Sequence, residues 1–483
     1  MAIKINNSYI RLINSSDNAD DIVGIVKDSI RREMYKLHND NKYSECEFLF
    51  KRLMKDVTFT FEARLNRLQS LIIVENLDSY SIQSQRYCKY DENAEVILDD
   101  FENMNESLQR RIEDYLNYSL DKYDDLCNAG VKAEDARYIL PLAFPCYNVI
   151  TVKGDKLVDL LKVLNYYKPL FNNALTELIN SFKESFDKKF KSVWNTISSK
   201  TLIEDIIYFC NNMEEMENLN FHSITDKAFN KEFNKYSLSK GDIENICKVY
   251  CSRLDIAGIA ALTCTNEKSV DELKEEYDSD SLKKVAKNVI TKLGHTSVGE
   301  HVNSVTYATF SLPCYNQLVR HRHHNIARLS FQSMLSSAIL DNHNEVYVTP
   351  QSFKLLANNR IYYTLQNKLK NIVISELLCN DNNNEVKLIL AQLIPFGKRE
   401  KFIINSNLIN DIYVCSKRTC NTAQWEIRDF TYKKLSQIAN QINPALLLDA
   451  RPECLKTKCK EGKKCCGKQN DIKKLFEDMG IVE

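Results

Sequence analysis

The feature that most constrains this chain is an order of elements that occurs twice. Residues 57–65, VTFTFEARL, alternate and are rich in β-branched and aromatic side chains, which predicts a strand. Val302–Leu312, VNSVTYATFSL, reads the same way and is stopped by Pro313. Each strand leads to a Ser-rich segment, SYSIQSQRY (Ser79–Tyr87) in the first half and NIARLSFQS (Asn325–Ser333) in the second. A long helix follows in each, then a Leu-Pro or Ile-Pro stop at Pro141 or Pro395, a β-rich run and a further helix. The interval from Ser84 to Pro141 is close to that from Ser330 to Pro395. Matched features at matched spacing predict a tandem duplication. The expected repeats are residues 1–215 and 241–483, joined by a polar, weakly periodic connection at 216–240. The expected fold class is α+β: two tandem repeats, each a small β-sheet with several helices, helix-rich overall. Helices are expected over Ile22–Leu37, 43–55, 97–128, Asp242–Leu262, Ser281–Leu293 and Gln424–Ile442.

Charge narrows the partners. Lys+Arg and Asp+Glu are 65 each, so no global field draws the chain to nucleic acid or to a membrane surface, and any anion site must be local. No apolar run is long enough to span a bilayer. The first residues lack the apolar core of a signal peptide, so the cytoplasm is the expected compartment. The 16 cysteines are mostly scattered singly, as expected of reduced, buried thiols. With 11 glycines there is neither a GxGxxG nor a GxxxxGK[ST] motif, so side chains must hold any phosphates.

Gly294–Ser333 is the local site those observations require. It holds five of the 8 histidines and the arginines Arg320, Arg322 and Arg328. Such cationic density needs an anionic partner, and two arginines can clamp a phosphate bidentately. The alternative is a solvated basic turn. His295 and His301 do not have HExxH spacing. The tail cysteines Cys454, Cys459, Cys465 and Cys466 do not form CxxC pairs, so no metal is expected.

GHTSVGEH, then a strand, then QLVRHR followed by seven residues and Ser330, resembles the signature of flavin-dependent thymidylate synthases. AQWEIR and the tail PECLKTKCKEGKKCCGK are similar as well, and this likeness spans residues 242–467. The first half resembles the same family more weakly, through SIQSQRY and GVKAEDARYILPL. The resemblance implies FAD as cofactor, NADPH and methylenetetrahydrofolate as co-substrates, and conversion of dUMP to dTMP without a protein nucleophile. It implies that Arg418, just ahead of AQWEIR, is catalytic and favours ionisation at uracil N3. It implies FAD contacts from His295, Ser297, Arg320, His321, Arg322 and Asn407. It implies dUMP contacts from Ser84, Arg86, Arg137, Gln317, Arg320, Ser330 and Arg418.

The departures from that family pattern are complementary. The first half has Val74-Glu75-Asn76 where RHR belongs and Leu164 where the second has Arg418, yet it keeps Ser84, Arg86 and Arg137. The second half keeps RHR and Arg418 but has Gln332-Ser333 in place of Arg-Tyr, and Ala391 in place of Arg137. Two such halves predict a fused pseudo-dimer with composite sites, which pairs with itself as a homo-oligomer. Arg328 replaces an expected glutamate. That leaves two other readings in play: flavin chemistry on another pyrimidine nucleotide, and a non-catalytic nucleotide-binding paralogue.

Overall fold

The computed structural model describes residues 3–15, 32–33, 36–37, 39–55, 58–77, 80–84, 89–90, 94–189, 221–236, 246–321, 324–354, 360–379 and 383–482. The helix expected over Ile22–Leu37 falls almost wholly outside them.

In the first copy the elements run β1 (Lys4–Asn6), β2 (Tyr9–Ser15), α1 (Tyr43–Met54), β3 (Thr58–Asn66), α2 (Arg67–Asn76), β4 (Tyr80–Ile82), β5 (Glu95–Ile97), α3 (Glu106–Asn128), β6 (Pro145–Lys153), α4 (Gly154–Tyr166) and α5 (Lys168–Lys189). Then comes α6 (Phe221–Tyr236). The second copy continues with β7 (Cys247–Cys251), α7 (Asp255–Thr263), α8 (Ser279–Thr291), β8 (Asn303–Ser311), α9 (Leu312–Leu318), β9 (Asn325–Arg328), α10 (Phe331–Leu340), α11 (Arg360–Cys379), α12 (Asn383–Leu390), β10 (Arg399–Asn407), α13 (Leu408–Arg418) and α14 (Trp425–Gln441). Among the described residues no helix is long and apolar enough to cross a membrane.

The duplication is written in the sheets. One has the order β2-β3-β6-β4 and the other β7-β8-β10-β9, both antiparallel. β3 pairs β6 from Thr58↔Lys153 to Asn66↔Pro145, and β8 pairs β10 from Asn303↔Asn407 to Ser311↔Arg399. Helices α2 and α9 then start at once, capped by Asn66 and Ser311. This register matches Leu164 with Arg418, as the sequence predicts. It matches Arg320-His321-Arg322 with Glu75-Asn76-Leu77, one residue later than the sequence reading.

Two other expectations change. The helix expected from residue 97 begins only at Glu106, because Asp99 accepts bonds from the Ser8 N–H (2.6 Å) and hydroxyl (2.7 Å) and Asp100 turns left-handed at φ 57. The helix expected over Asp242–Leu262 begins with a strand, β7. Gln437 and Gln441 of α14 bond its backbone at Val249 N (2.9 Å), Cys251 N (2.9 Å) and Val249 O (2.7 Å). These tertiary bonds occupy the edge of a segment whose short apolar pattern suits either state.

The compact units cut across the duplication. One comprises residues 1–221 with 331–398, and the other residues 222–330 with 399–483. In the first unit the Pro141 and Pro395 turns, equivalent in the two copies, meet as an antiparallel bridge. Leu142 N donates to Ile394 O (2.9 Å), and the matching Phe396 N donates to Leu140 O (2.8 Å). Each bond is the image of the other, which is the mark of a self-complementary contact. Gly397 lies too close to the Tyr138 carbonyl to carry a side chain. Beside it, α3 and α11 pair through Arg111–Glu376 (2.9 Å) and Lys368–Asp114.

In the second unit, Phe310 and Phe402 stack at 4.3 Å on one face of the sheet, and Phe430 of α14 packs edge-on against Phe310. Tyr307 and Ile403, on the opposite face, pack with Phe229 and Phe233 of α6.

Candidate active site

The second unit assembles the sharpest sequence signal. Pro313 stands in the first turn of α9, where its missing N–H costs nothing, and the Ser311 side chain accepts from Cys314 N (3.3 Å). Arg320 and His321 follow directly on the C-terminal end of this helix, in a half-buried turn. Arg322 and His323 lie outside the described residues.

The end of α13 reaches this turn. Arg418 Nε donates to His321 Nε2 at 2.8 Å, and Arg418 Nη2 donates to the Gln317 carbonyl at 3.2 Å. The first bond requires an imidazole whose Nε2 carries no proton, which puts the His321 proton on Nδ1. The His321 ring also meets Tyr413 edge-on at 5.9 Å. A guanidinium held by two acceptors is a fixed cation, poised for a developing anion at little reorganisation cost. The structure thus brings together Gln317, His321 and Arg418, with Arg320 adjacent in the chain. Around them, burial and the nearby Glu426 push the Cys314 thiol well above its ordinary range, and burial takes Cys415 up to about 12. Neither is a nucleophile.

His295 and Ser297 are exposed at the 3-10 turn Thr296–His301, which Gly294 introduces with φ 71. Asn407 caps α13, its side-chain oxygen accepting from Asn410 N (2.9 Å), so only its amide group is left to donate. Ser330 is buried at the end of β9, where its N–H and hydroxyl both donate to Asp226, at 2.9 and 2.6 Å. Arg328 turns back on its own strand end, donating to the Leu329 carbonyl (2.7 Å).

Of the residues expected from the first copy, Ser84 is half-buried just past β4 and Arg86 lies outside the described residues. Arg137 is buried in a 3-10 turn. Its Nε donates to Glu134 O (3.0 Å) and its guanidinium lies 5.7 Å from the Phe396 ring centroid. This stack on an aromatic face is a favourable seat for an arginine.

Two supports escaped the sequence reading. Glu426 of AQWEIR is buried and accepts from Ser311 N (2.8 Å) and from the Ser311 hydroxyl, which locks α14 to the start of α9. Lys434 of α14 pairs with Asp411 of α13 at 2.6 Å, and the Ser304 hydroxyl donates to the other Asp411 oxygen (2.5 Å). The available signals were a serine three residues before Cys314 and two charges placed on the inward faces of amphipathic helices.

Comparisons with known proteins bear on the family. The family described as Thymidylate synthase complementing protein matches the chain twice, over residues 25–169 and 250–445. A flavin-dependent thymidylate synthase of Geobacter sulfurreducens is 28% identical over 228 residues, covering 46% of this chain and 93% of that protein. The Clostridium tetani protein of the same name is 27% identical over 234 residues, covering 46% of this chain and 91% of that one. The Helicobacter pylori flavin-dependent thymidylate synthase solved with FAD and dUMP aligns at 20% identity and TM-score 0.31, covering 42% of this chain and 96% of that one. Each relative spans about half of this chain, and the family matches it in two stretches, each of which contains three strands of one four-stranded sheet in full. The chain therefore belongs to the thymidylate synthase complementing protein family, the flavin-dependent thymidylate synthases, as a tandem fusion of two diverged copies.

Proposed function

We propose that this protein is an enzyme that converts dUMP to dTMP, with FAD as cofactor, methylenetetrahydrofolate as one-carbon donor and NAD(P)H as reductant, in the cytoplasm. The observation that carries the reading is the Arg418–His321–Gln317 constellation at the end of α9. The residues present suit a flavin dinucleotide. A cationic turn replaces the glycine loop the chain lacks, and Ser297 and His295 present polar, exposed side chains on the 3-10 turn Thr296–His301. FAD, when bound, supplies the redox chemistry and relays the one-carbon unit. The chain's own residues bind and orient: Arg320, His321 and Arg322 take the flavin's polar groups, with Ser297, His295 and the Asn407 amide. Arg418, fixed by His321 and the Gln317 carbonyl, stabilises negative charge on the pyrimidine.

Composite sites are part of the proposal. The first copy supplies Ser84, Arg86 and Arg137, and the second supplies Gln317, Arg320 and Arg418. The complementary losses in the sequence support this division, because independent decay would seldom sort the two sets so cleanly. A homo-oligomer of the fused chain completes the arrangement.

Complementation of a thymidine auxotroph tests the reading. The wild-type gene should restore growth, and Arg418→Ala and Arg86→Ala should not. A purified protein that takes up no FAD, or a wild-type gene that fails to complement, would overturn it. Full activity of residues 241–483 alone would overturn the composite site.

A further inference from the structure

The stretch between the two copies is more than a connection. Helix α6 lies on the second unit's sheet, with Phe229 and Phe233 packed against Tyr307, Leu329 and Ile403. The Tyr307 hydroxyl donates to Glu232 (3.0 Å), and the Lys401 ammonium lies 5.4 Å from the Phe233 ring centroid. The duplication supplies an internal control. The positions matching Tyr307 and Ile403 in the first sheet are Glu62 and Val149; Glu62 is exposed, and Val149 is 45% exposed. Among the described residues, these two positions are buried under α6 in the second copy and exposed in the first.

At the end of this helix face, both Asp226 oxygens are engaged by one residue: Oδ1 accepts from Ser330 N and Oδ2 from the Ser330 hydroxyl. Ser330 is 6% exposed. A serine that aims its N–H and its O–H at the two oxygens of one carboxylate is a two-donor anion seat, and two oxygens of a phosphate monoester would satisfy the same donors. A second anion cannot share the seat with the carboxylate. Because Asp226 is carried by a helix docked through Phe229 and Phe233, it competes at the high effective concentration of a tethered ligand.

We propose that α6 is a built-in occupant of the second copy's anion seat, with Asp226 standing where a phosphate would bind at Ser330. Resting on the function proposed above, this withdraws Ser330 from substrate binding. The expected role of Ser330 as a dUMP contact is replaced by that of an anchor for the chain between the copies.

Hydrogen-exchange mass spectrometry of the full-length protein, with inorganic phosphate as the probe, tests this. In the wild type, millimolar phosphate should leave the exchange of peptides covering 325–333 unchanged. In Asp226→Ala the same peptides should exchange about tenfold faster, and phosphate should restore their protection saturably. Phe233→Ala keeps the carboxylate but loosens the helix, and should give the same phosphate-dependent protection. Unchanged exchange in α14, which belongs to the same unit and packs on the opposite face of its sheet, confirms that either variant is folded. Protection of the wild-type segment by phosphate would overturn the proposal. So would Asp226→Ala exchange that does not rise, or that rises and does not respond to phosphate. No flavin, folate or nucleotide enters the assay, so failure of thymidylate synthesis leaves its result standing. An active enzyme whose wild-type seat takes phosphate sinks only this inference.

Discussion

Replacing Lys434 by methionine isolates the support beneath Arg418. Lys434 pairs with Asp411 at 2.6 Å, with side-chain exposures of 5% and 1%, and Asp411 keeps a second partner in the Ser304 hydroxyl. Lys434→Met removes the cation and leaves a carboxylate out of water with one donor. Breaking a buried pair on one side costs about 3–5 kcal/mol. Removing both charges with apolar side chains of similar volume, in Lys434→Met with Asp411→Leu, avoids the stranded charge. The double variant should then return to within about 1–2 kcal/mol of the wild type, the residue being the unpaired Ser304 hydroxyl. The chain has 2 tryptophans, and Trp425 opens α14. Urea unfolding followed by Trp425 fluorescence in a Trp194→Phe background therefore reports on this unit. Asp411 and Arg418 lie on one face of α13, two turns apart, so the single variant should also lower turnover by loosening Arg418 against His321. A Lys434→Met cost below about 1 kcal/mol, or a double variant as unstable as the single, would refute the reasoning.

Three further outcomes are expected. Arg418→Lys keeps the charge but loses the geometry of the Nε bond to His321 and should reduce kcat/KM by about tenfold or more, with the fold unchanged by circular dichroism. Burial pushes the Asp99 carboxyl up to about 6 from its ordinary 3.8, so the folded chain holds that proton more tightly than the unfolded one. The associated stability is present below the unfolded value and is lost as pH rises through the folded one; Asp99 should make the chain about 1 kcal/mol less stable at pH 7 than at pH 5, and Asp99→Asn should abolish that slope in parallel urea melts. The Gly467 N–H and the Cys459 thiol lower the Cys465 thiol, whereas burial raises Cys247 and Cys415 to about 12. Iodoacetamide at pH 8 should therefore label Cys465 at least about tenfold faster than Cys415 by peptide mass spectrometry, and equal rates would refute the assignment.

By itself the sequence determined the duplication and the α+β class. Alternation in VTFTFEARL and VNSVTYATFSL, and the Pro141 and Pro395 stops, are local signals, and local signals survive in a linear reading. The RHR and AQWEIR motifs were legible for the same reason, since each gathers its chemistry within a few residues. What the sequence could not show depends on distant partners. The Cys247–Cys251 segment is a strand because it pairs with β8 along one edge, while Gln437 and Gln441 bond its backbone along the other. Arg418 is fixed because His321, far away in the chain, offers a ring nitrogen at 2.8 Å. The image-related bonds at Leu142 and Phe396 place the second copy's 331–398 segment in the first unit, which no periodicity announces. The polar run between the copies read as a connection, because its helical face of Phe229 and Phe233 is too sparse to stand out without the sheet it covers. Ser330 read as a substrate contact from its motif. Only the folded chain showed that Asp226 already fills its two donors, because a hydrogen bond between residues from separate elements has no signature in either one.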